Sequence, residues 1–181
     1  QVYNPKHVVV ELDGPAFIET QDIAPLELNG SLLHGSLRAN APIPDQVSIE
    51  GKDVAATTDG NKALTAGYAA FHMRKENADA AFAGEWNAVN IAQDLTPGRV
   101  VPEYSLSYDV VVKDGVRLFA EKARSARGQS GEIRSLALSF TEGGAIKASG
   151  PVSVNNEGLL SGNVKLTFTD AEKLAAALTK A

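Results

Sequence analysis

Between Ile133 and Phe168 the chain passes three times through alternating apolar and polar residues, each run closed by a turn residue, and this alternation constrains the fold most. IRSLALSF places Leu136, Leu138 and Phe140 on one face; AIKASGPVSV does so with Ile146, Ala148, Val152 and Val154; NVKLTF with Val164, Leu166 and Phe168. Side chains that repeat every two residues belong to strands with one face buried, so the segment predicts a half-buried antiparallel sheet. Thr169 and Glu172 then have the spacing of a capping box. With Leu174 and Leu178 four apart, they predict a short C-terminal helix whose apolar stripe lies on the sheet.

Earlier segments read the same way. KHVVVEL puts Val8, Val10 and Leu12 on one face of a strand predicted over 2–12, turned at Asp13-Gly14-Pro15, with a short apolar run at 16–19 continuing it. LEL and LLHGSLR alternate on either side of Asn29-Gly30, which signals a hairpin or, alternatively, a bulge within one strand. Strands are predicted over 47–55, 63–74, 86–92 and 104–112, one helical turn over 77–84, and a helix over 116–126. The expected architecture is mainly β: a curved antiparallel sheet, or a β-sandwich or half-barrel, with one or two short helices including the C-terminal one.

At 181 residues the chain suits a single β-rich domain over 1–181, expected to bury about 70% of the surface its unfolded form exposes. It contains no cysteine, so disulfides, thiolate catalysis and cysteine-based zinc sites are excluded. With 17 basic and 22 acidic residues it lacks the positive balance that phosphate neutralisation demands, which argues against a nucleic-acid partner. No apolar run reaches the roughly 18 residues of a membrane-spanning helix. The chain opens at Gln1, which is read as a processed terminus or the start of an excised piece.

Motifs for chemistry are few. His7, His34 and His72 stand apart with no second ligand at strand or helix spacing, and no metal or other cofactor is expected. Gly128-Gln129-Ser130-Gly131 lacks the residue that a nucleophile elbow needs between serine and second glycine. Glu103 with Asp109, or Glu11 with Asp13, could serve as a general acid and base if the fold brought them together; solvated strand-end charges explain them as well. Asn155-Asn156-Glu157-Gly158 offers oxygen ligands to calcium or, alternatively, a hairpin turn. Lys113, Arg117, Lys122, Arg124, Arg127 and Arg134 form a basic run that would suit anionic lipid headgroups or a solvated helix face.

Taken in order, YNPKHVVVELDGPAFIE, HGSLRANAP followed by VSIEGKDV, FHMRKENADAA and the terminal SLALSFTEGGAIKASGPVSVNNEGLLSGNVKLTFTDAEKL resemble a family of uncharacterised alphaproteobacterial envelope proteins, domain-of-unknown-function family 2125. The glycine-punctuated strands are also similar in style to the AsmA-like envelope proteins, whose long sheets form grooves for acyl chains. The resemblance implies a periplasmic protein, or one anchored and facing the periplasm, as the later part of a longer chain. It supplies no catalytic residue.

The leading expectation is therefore a non-enzymatic envelope module with an apolar face formed by Val8, Val10, Leu12, Leu136, Leu138, Phe140, Ile146, Val164, Leu166 and Phe168, which takes a lipid or another apolar ligand. The alternatives are that these residues are the closed core of a sandwich, that an envelope partner adds a strand to a sheet edge, or that a carboxylate pair makes the chain a hydrolase.

Overall fold

The computed structural model describes residues 6–12, 14–18, 26–58, 60–96, 98–121 and 125–180. Its strands are β1 (His7–Leu12), β2 (Ala16–Ile18), β3 (Leu26–Asn29), β4 (Leu32–Arg38), β5 (Gln46–Thr58), β6 (Asn61–Glu76), β7 (Asp79–Ile91), β8 (Tyr104–Val112), β9 (Ser130–Phe140), β10 (Ala145–Val154), β11 (Leu160–Gly162) and β12 (Lys165–Thr169). Two helices, α1 (Gly115–Ala120) and α2 (Ala171–Lys180), and a 3-10 turn at Gln93–Leu95 complete the described elements. All strands join one open antiparallel sheet in the order β1, β4, β5, β6, β7, β8, β9, β10, β11, with β12 beside β10 and β3 carrying β2 beside β5. The sandwich alternative is not what forms.

Several expectations change. The Asn29-Gly30 signal makes no hairpin: β3 and β4 lie end to end along β5, with Asn29 opposite Ala55 and Leu32 opposite Lys52. The interruption is a kink shared with β5, where Asp53 adopts a left-handed φ of 49° and accepts a 2.7 Å hydrogen bond from the Ser31 hydroxyl. The bulge reading is the nearer one. Ala16–Ile18 pairs with β3 instead of continuing β1. The predicted turn of helix over 77–84 is instead the start of β7, because Ala80 and Ala81 pack at 0% and 2% exposure between neighbouring strands. Residues 2–5 of the first predicted strand, and Glu19, lie outside the described residues.

Helix α1 is shorter than the segment 116–126, spanning six residues after Asp114 at φ 51°, and Lys122 to Arg124 lie outside the described residues. Helix α2 forms where expected, but its cap is different. Thr169 is the last residue of β12, held opposite Ala145 in the ladder, so the free N–H of Lys173 is met by Asp170 Oδ1 at 3.4 Å. Its buried stripe is Leu174 with Ala177, at 5% and 3%, while Leu178 is half exposed.

Register sorts the side chains. Directly paired residues share a face, so one row across the sheet reads Leu12, Leu33, Gly51, Ala69, Trp86, Leu106, Leu138, Ile146, Phe168. The next row reads Val10, Gly35, Ile49, Phe71, Gly84, Tyr108, Leu136, Ala148, Leu166. The intervening row on the other face reads Glu11, His34, Glu50, Ala70, Glu85, Ser107, Ala137, Lys147, Thr167. One face is apolar across nine strands and the other is largely polar.

No second sheet covers the apolar face among the described residues. The solvent-accessible surface is 11753 Å² for 19.0 kDa, whereas a compact monomer of that mass exposes about 8,400 Å². The same scaling gives about 57% burial, below the expected 70%.

Candidate functional site

Among the described residues the apolar face is covered at two places. At one end of β8 and β9, Leu174 and Ala177 of α2 pack on Phe140, with Tyr104, Leu138 and Ile146 around them. Gly144, at φ +88°, permits this approach: a Cβ there would lie 2.6 Å from the backbone nitrogen of Leu174. At the opposite strand end Phe119 of α1 meets the Phe82 ring edge-on at 5.4 Å, and Phe82 stacks towards Phe71 at 6.2 Å. Gly115 fits α1 against Ala80, where a Cβ would approach to 2.7 Å.

Beside these covers, towards β4, the face stays open. A pocket of about 560 Å³ lies over β4 to β7, with Leu33, Ile49, Ala69, Phe71 and Trp86 as its floor and Leu95 of the 3-10 turn at its rim. Leu28, Val54, Ala56, Ala63, Leu64 and Ile91 extend its walls, so side chains without hydrogen-bonding groups dominate the lining. A second pocket of about 500 Å³ lies under α1, with Val110, Val112, Leu118, Phe119, Val152 and Val154. It too offers chiefly apolar contact. Tyr108 bridges the middle of the face, its ring so close over Gly84 that a Cβ there would come within 2.5 Å.

The residues predicted for the apolar face are distributed along it. Val8, Val10 and Leu12 line the β1 edge at 45%, 45% and 44% exposure, and Leu166 and Phe168 are similarly exposed on β12 at the far edge. Leu136 is half-buried mid-sheet. Phe140 is buried under α2, Leu138 and Ile146 pack half-buried beside it, and Val164 sits half-buried in the connection between β11 and β12. Ile49, Phe71 and Trp86, which floor the larger pocket, escaped the sequence reading. Each lies in a predicted strand, but the register that brings those strands together leaves no mark in a single sequence.

The opposite face is balanced by ion pairs. A bulge at Arg134, between Ser135 and Ile133, points its guanidinium along the sheet to Glu76, which also accepts from Arg74 Nε at 2.7 Å. The Arg134 and Arg74 hydrogen bonds hold the Glu76 carboxyl at about 2, far below the usual glutamate range. Asp109 lies near both arginines, at 3.8 and 3.9 Å. Lys113 bonds Asp79 at 2.8 Å, and Arg117 bonds Asp114 and Glu121 at 2.6 and 2.9 Å. Much of the predicted basic run is therefore matched by carboxylates within the chain.

The other candidate motifs resolve locally. Glu103 and Asp109 are six positions apart along the β8 segment, about 20 Å at the rise of a strand, so they cannot share a substrate atom. Glu103 instead accepts from Asn90 and Thr141 at 2.8 and 2.7 Å, bonds that lower its pKa. Asp13, the proposed partner of Glu11, lies outside the described residues. Asn155 Oδ1 accepts the backbone N–H groups of Glu157 and Leu159, both at 2.9 Å, which makes the segment the turn of the β10–β11 hairpin. His72 Nδ1 pairs with the Ser48 hydroxyl at 3.0 Å and its Nε2 lies 4.0 Å from Glu50. Among the described residues no group of three His, Asp or Glu side chains is placed to hold a metal. None of the described helices is long and apolar enough to cross a membrane.

A family model described as "Uncharacterized protein conserved in bacteria (DUF2125)" matches residues 1–181. No curated protein and no solved structure matches the chain.

Proposed function

The chain belongs to the DUF2125 family of uncharacterized proteins conserved in bacteria, and on that premise we propose that it is a non-enzymatic envelope module that holds the acyl part of a lipid on its apolar face. The observation that carries this reading is the open stretch of the apolar face over β4 to β7, with its 560 Å³ pocket floored by Ile49, Phe71 and Trp86. Apolar surface left in water is unfavourable by roughly 25 cal/mol per Å², and a contiguous exposed stretch of this kind is typical of a binding face. An acyl chain needs no hydrogen-bonding partner and suits walls that offer almost none. The location that goes with this reading is periplasmic, or membrane-anchored and facing the periplasm.

Trp86 is the single tryptophan and lines the pocket, so it reports on occupancy directly. Titration with a dibrominated fatty acid is expected to quench its fluorescence saturably, and Ile49→Asp, at a side chain already 56% exposed, is expected to abolish that quenching without unfolding the protein. Lipid extraction and mass spectrometry of protein purified from its native membrane fraction should also return bound lipid. Absence of both quenching and co-purified lipid would overturn the reading.

A second reading has its own observation. Strand β1 ends the sheet among the described residues, and Val8, Val9 and Val10 are all about half exposed on it, with neither proline nor lysine inside the strand to discourage pairing. An envelope partner that adds a strand there would extend both faces. Val9→Pro should then abolish co-purification of that partner after crosslinking while leaving Trp86 quenching intact.

A further inference from the structure

We propose that the polar face carries a binding site for a tetrahedral oxyanion, a phosphate or phosphomonoester group, built by β9, β10 and β12. Lys147 stands opposite Thr167, and Lys165 opposite Ser149, so the two ammonium groups occupy diagonal positions on adjacent strands. Such neighbours lie about 7–8 Å apart, within joint reach of long side chains. Together with Ser135, Ser149 and Thr167 they line a pocket of about 360 Å³ on the face opposite the acyl pocket.

What distinguishes this pocket is its unmatched charge. Arg134 at its wall is already engaged by Glu76 and lies near Asp109, whereas Lys147 and Lys165 make no ion pair, and the hydroxyls of Ser135, Ser149 and Thr167 no hydrogen bond, among the described residues. Of the neighbouring carboxylates, Glu76 is held by Arg134 and Arg74, and Asp109, opposite Ser135, lies 3.8 and 3.9 Å from the same two arginines. Two like charges held on neighbouring strands repel one another, and an anion between them turns that repulsion into attraction. A tetrahedral oxyanion brings several acceptor oxygens, enough for both ammonium groups and the adjacent hydroxyls at once. The bulge contributes by setting two residues, Arg134 and Ser135, against the single Ser149 of β10.

The test is an amide chemical-shift titration with inorganic phosphate at constant ionic strength, beside co-sedimentation with phosphatidylcholine vesicles that contain phosphatidic acid. Saturable shifts are expected at Ser149 and Thr167. The double variant Lys147→Gln/Lys165→Gln should weaken binding by about tenfold or more, and Ser149→Ala/Thr167→Val, with charge unchanged, by about threefold. All four side chains lie on or near the surface, so both variants should fold. Phosphate binding without vesicle binding assigns the site to a free phosphorylated molecule, and vesicle binding assigns it to a lipid headgroup. Two results would overturn the proposal: no saturable response to either probe, or an equal loss in Lys52→Gln/Lys62→Gln, which changes the net charge at remote positions. Trp86 quenching by an acyl probe is independent of both, so the two proposals fail separately.

Discussion

The two faces of the sheet solve the same problem to different degrees. On the polar face the chain supplies its own partners: Glu76 sits between Arg134 and Arg74, Asp79 holds Lys113, and Glu103 accepts from Asn90 and Thr141. On the apolar face the covers among the described residues are α1 and α2, and side chains such as Ile49, Leu166 and Phe168 remain more than half exposed. Among the described residues the single large side chain buried beyond 98% is Val89. This sheet is therefore held together by its ladders and local clusters instead of a thick core, and its surplus apolar surface stays exposed among the described residues.

Breaking the α2 cover should have the largest effect. Gly144→Val forces a side chain into the backbone of Leu174 at a φ that favours glycine, and is expected to cost about 3 kcal/mol with loss of α2 helicity, read by chemical denaturation and circular dichroism. Full retention of stability would mean that α2 does not seal this end. Leu174→Ala should follow at about 2–3 kcal/mol, with increased binding of a hydrophobic dye, while Leu178→Ala should change stability by less than about 0.5 kcal/mol.

The polar face is broken by acid. Glu76, Asp79 and Glu103 all have carboxyl pKa values depressed on folding, so the stability they add is present above the unfolded value near 4 and is lost as pH falls, for Glu76 down to about 2. Stability should therefore be flat from pH 7 to 5 and decline between about 4.5 and 2. In Glu76→Gln part of that decline should disappear, as measured by denaturant midpoints across this range, and an unchanged acid limb would show that the Arg134 pair adds nothing.

The smallest effect sharpens the contrast most. Leu166→Ser and Phe168→Ser, each placed on the apolar face, should cost less than about 1 kcal/mol, where a packed core would lose about 3–5 kcal/mol for a comparable truncation. A large loss would show that these side chains are covered in solution, and an analytical ultracentrifuge would then reveal whether a second copy covers them.

Alternation made β8 legible to the residue, and it assigned the three terminal runs to one face correctly, because a strand with one polar and one apolar side writes that difference into every second position. The alanines of β7 misled in the other direction: their value lies in being small enough to pack between strands, which propensity alone reads as helix. Asn29-Gly30 misled because a turn signal is local, and whether the chain reverses there depends on the long β5 that both flanking strands pair with. The capping residue of α2 shifted by one because Thr169 was already bound into the ladder.

By itself, then, the sequence determined that this protein is a glycine-punctuated antiparallel sheet with one apolar face, since period-two patterning is a property of each strand alone. Only the tertiary structure decided that the sheet stays a single layer, that two short helices cover its ends, and that Ile49, Phe71 and Trp86 meet in one pocket. Those outcomes depend on pairing between distant segments, where a shift of one residue would exchange the faces and no single strand records which register is chosen.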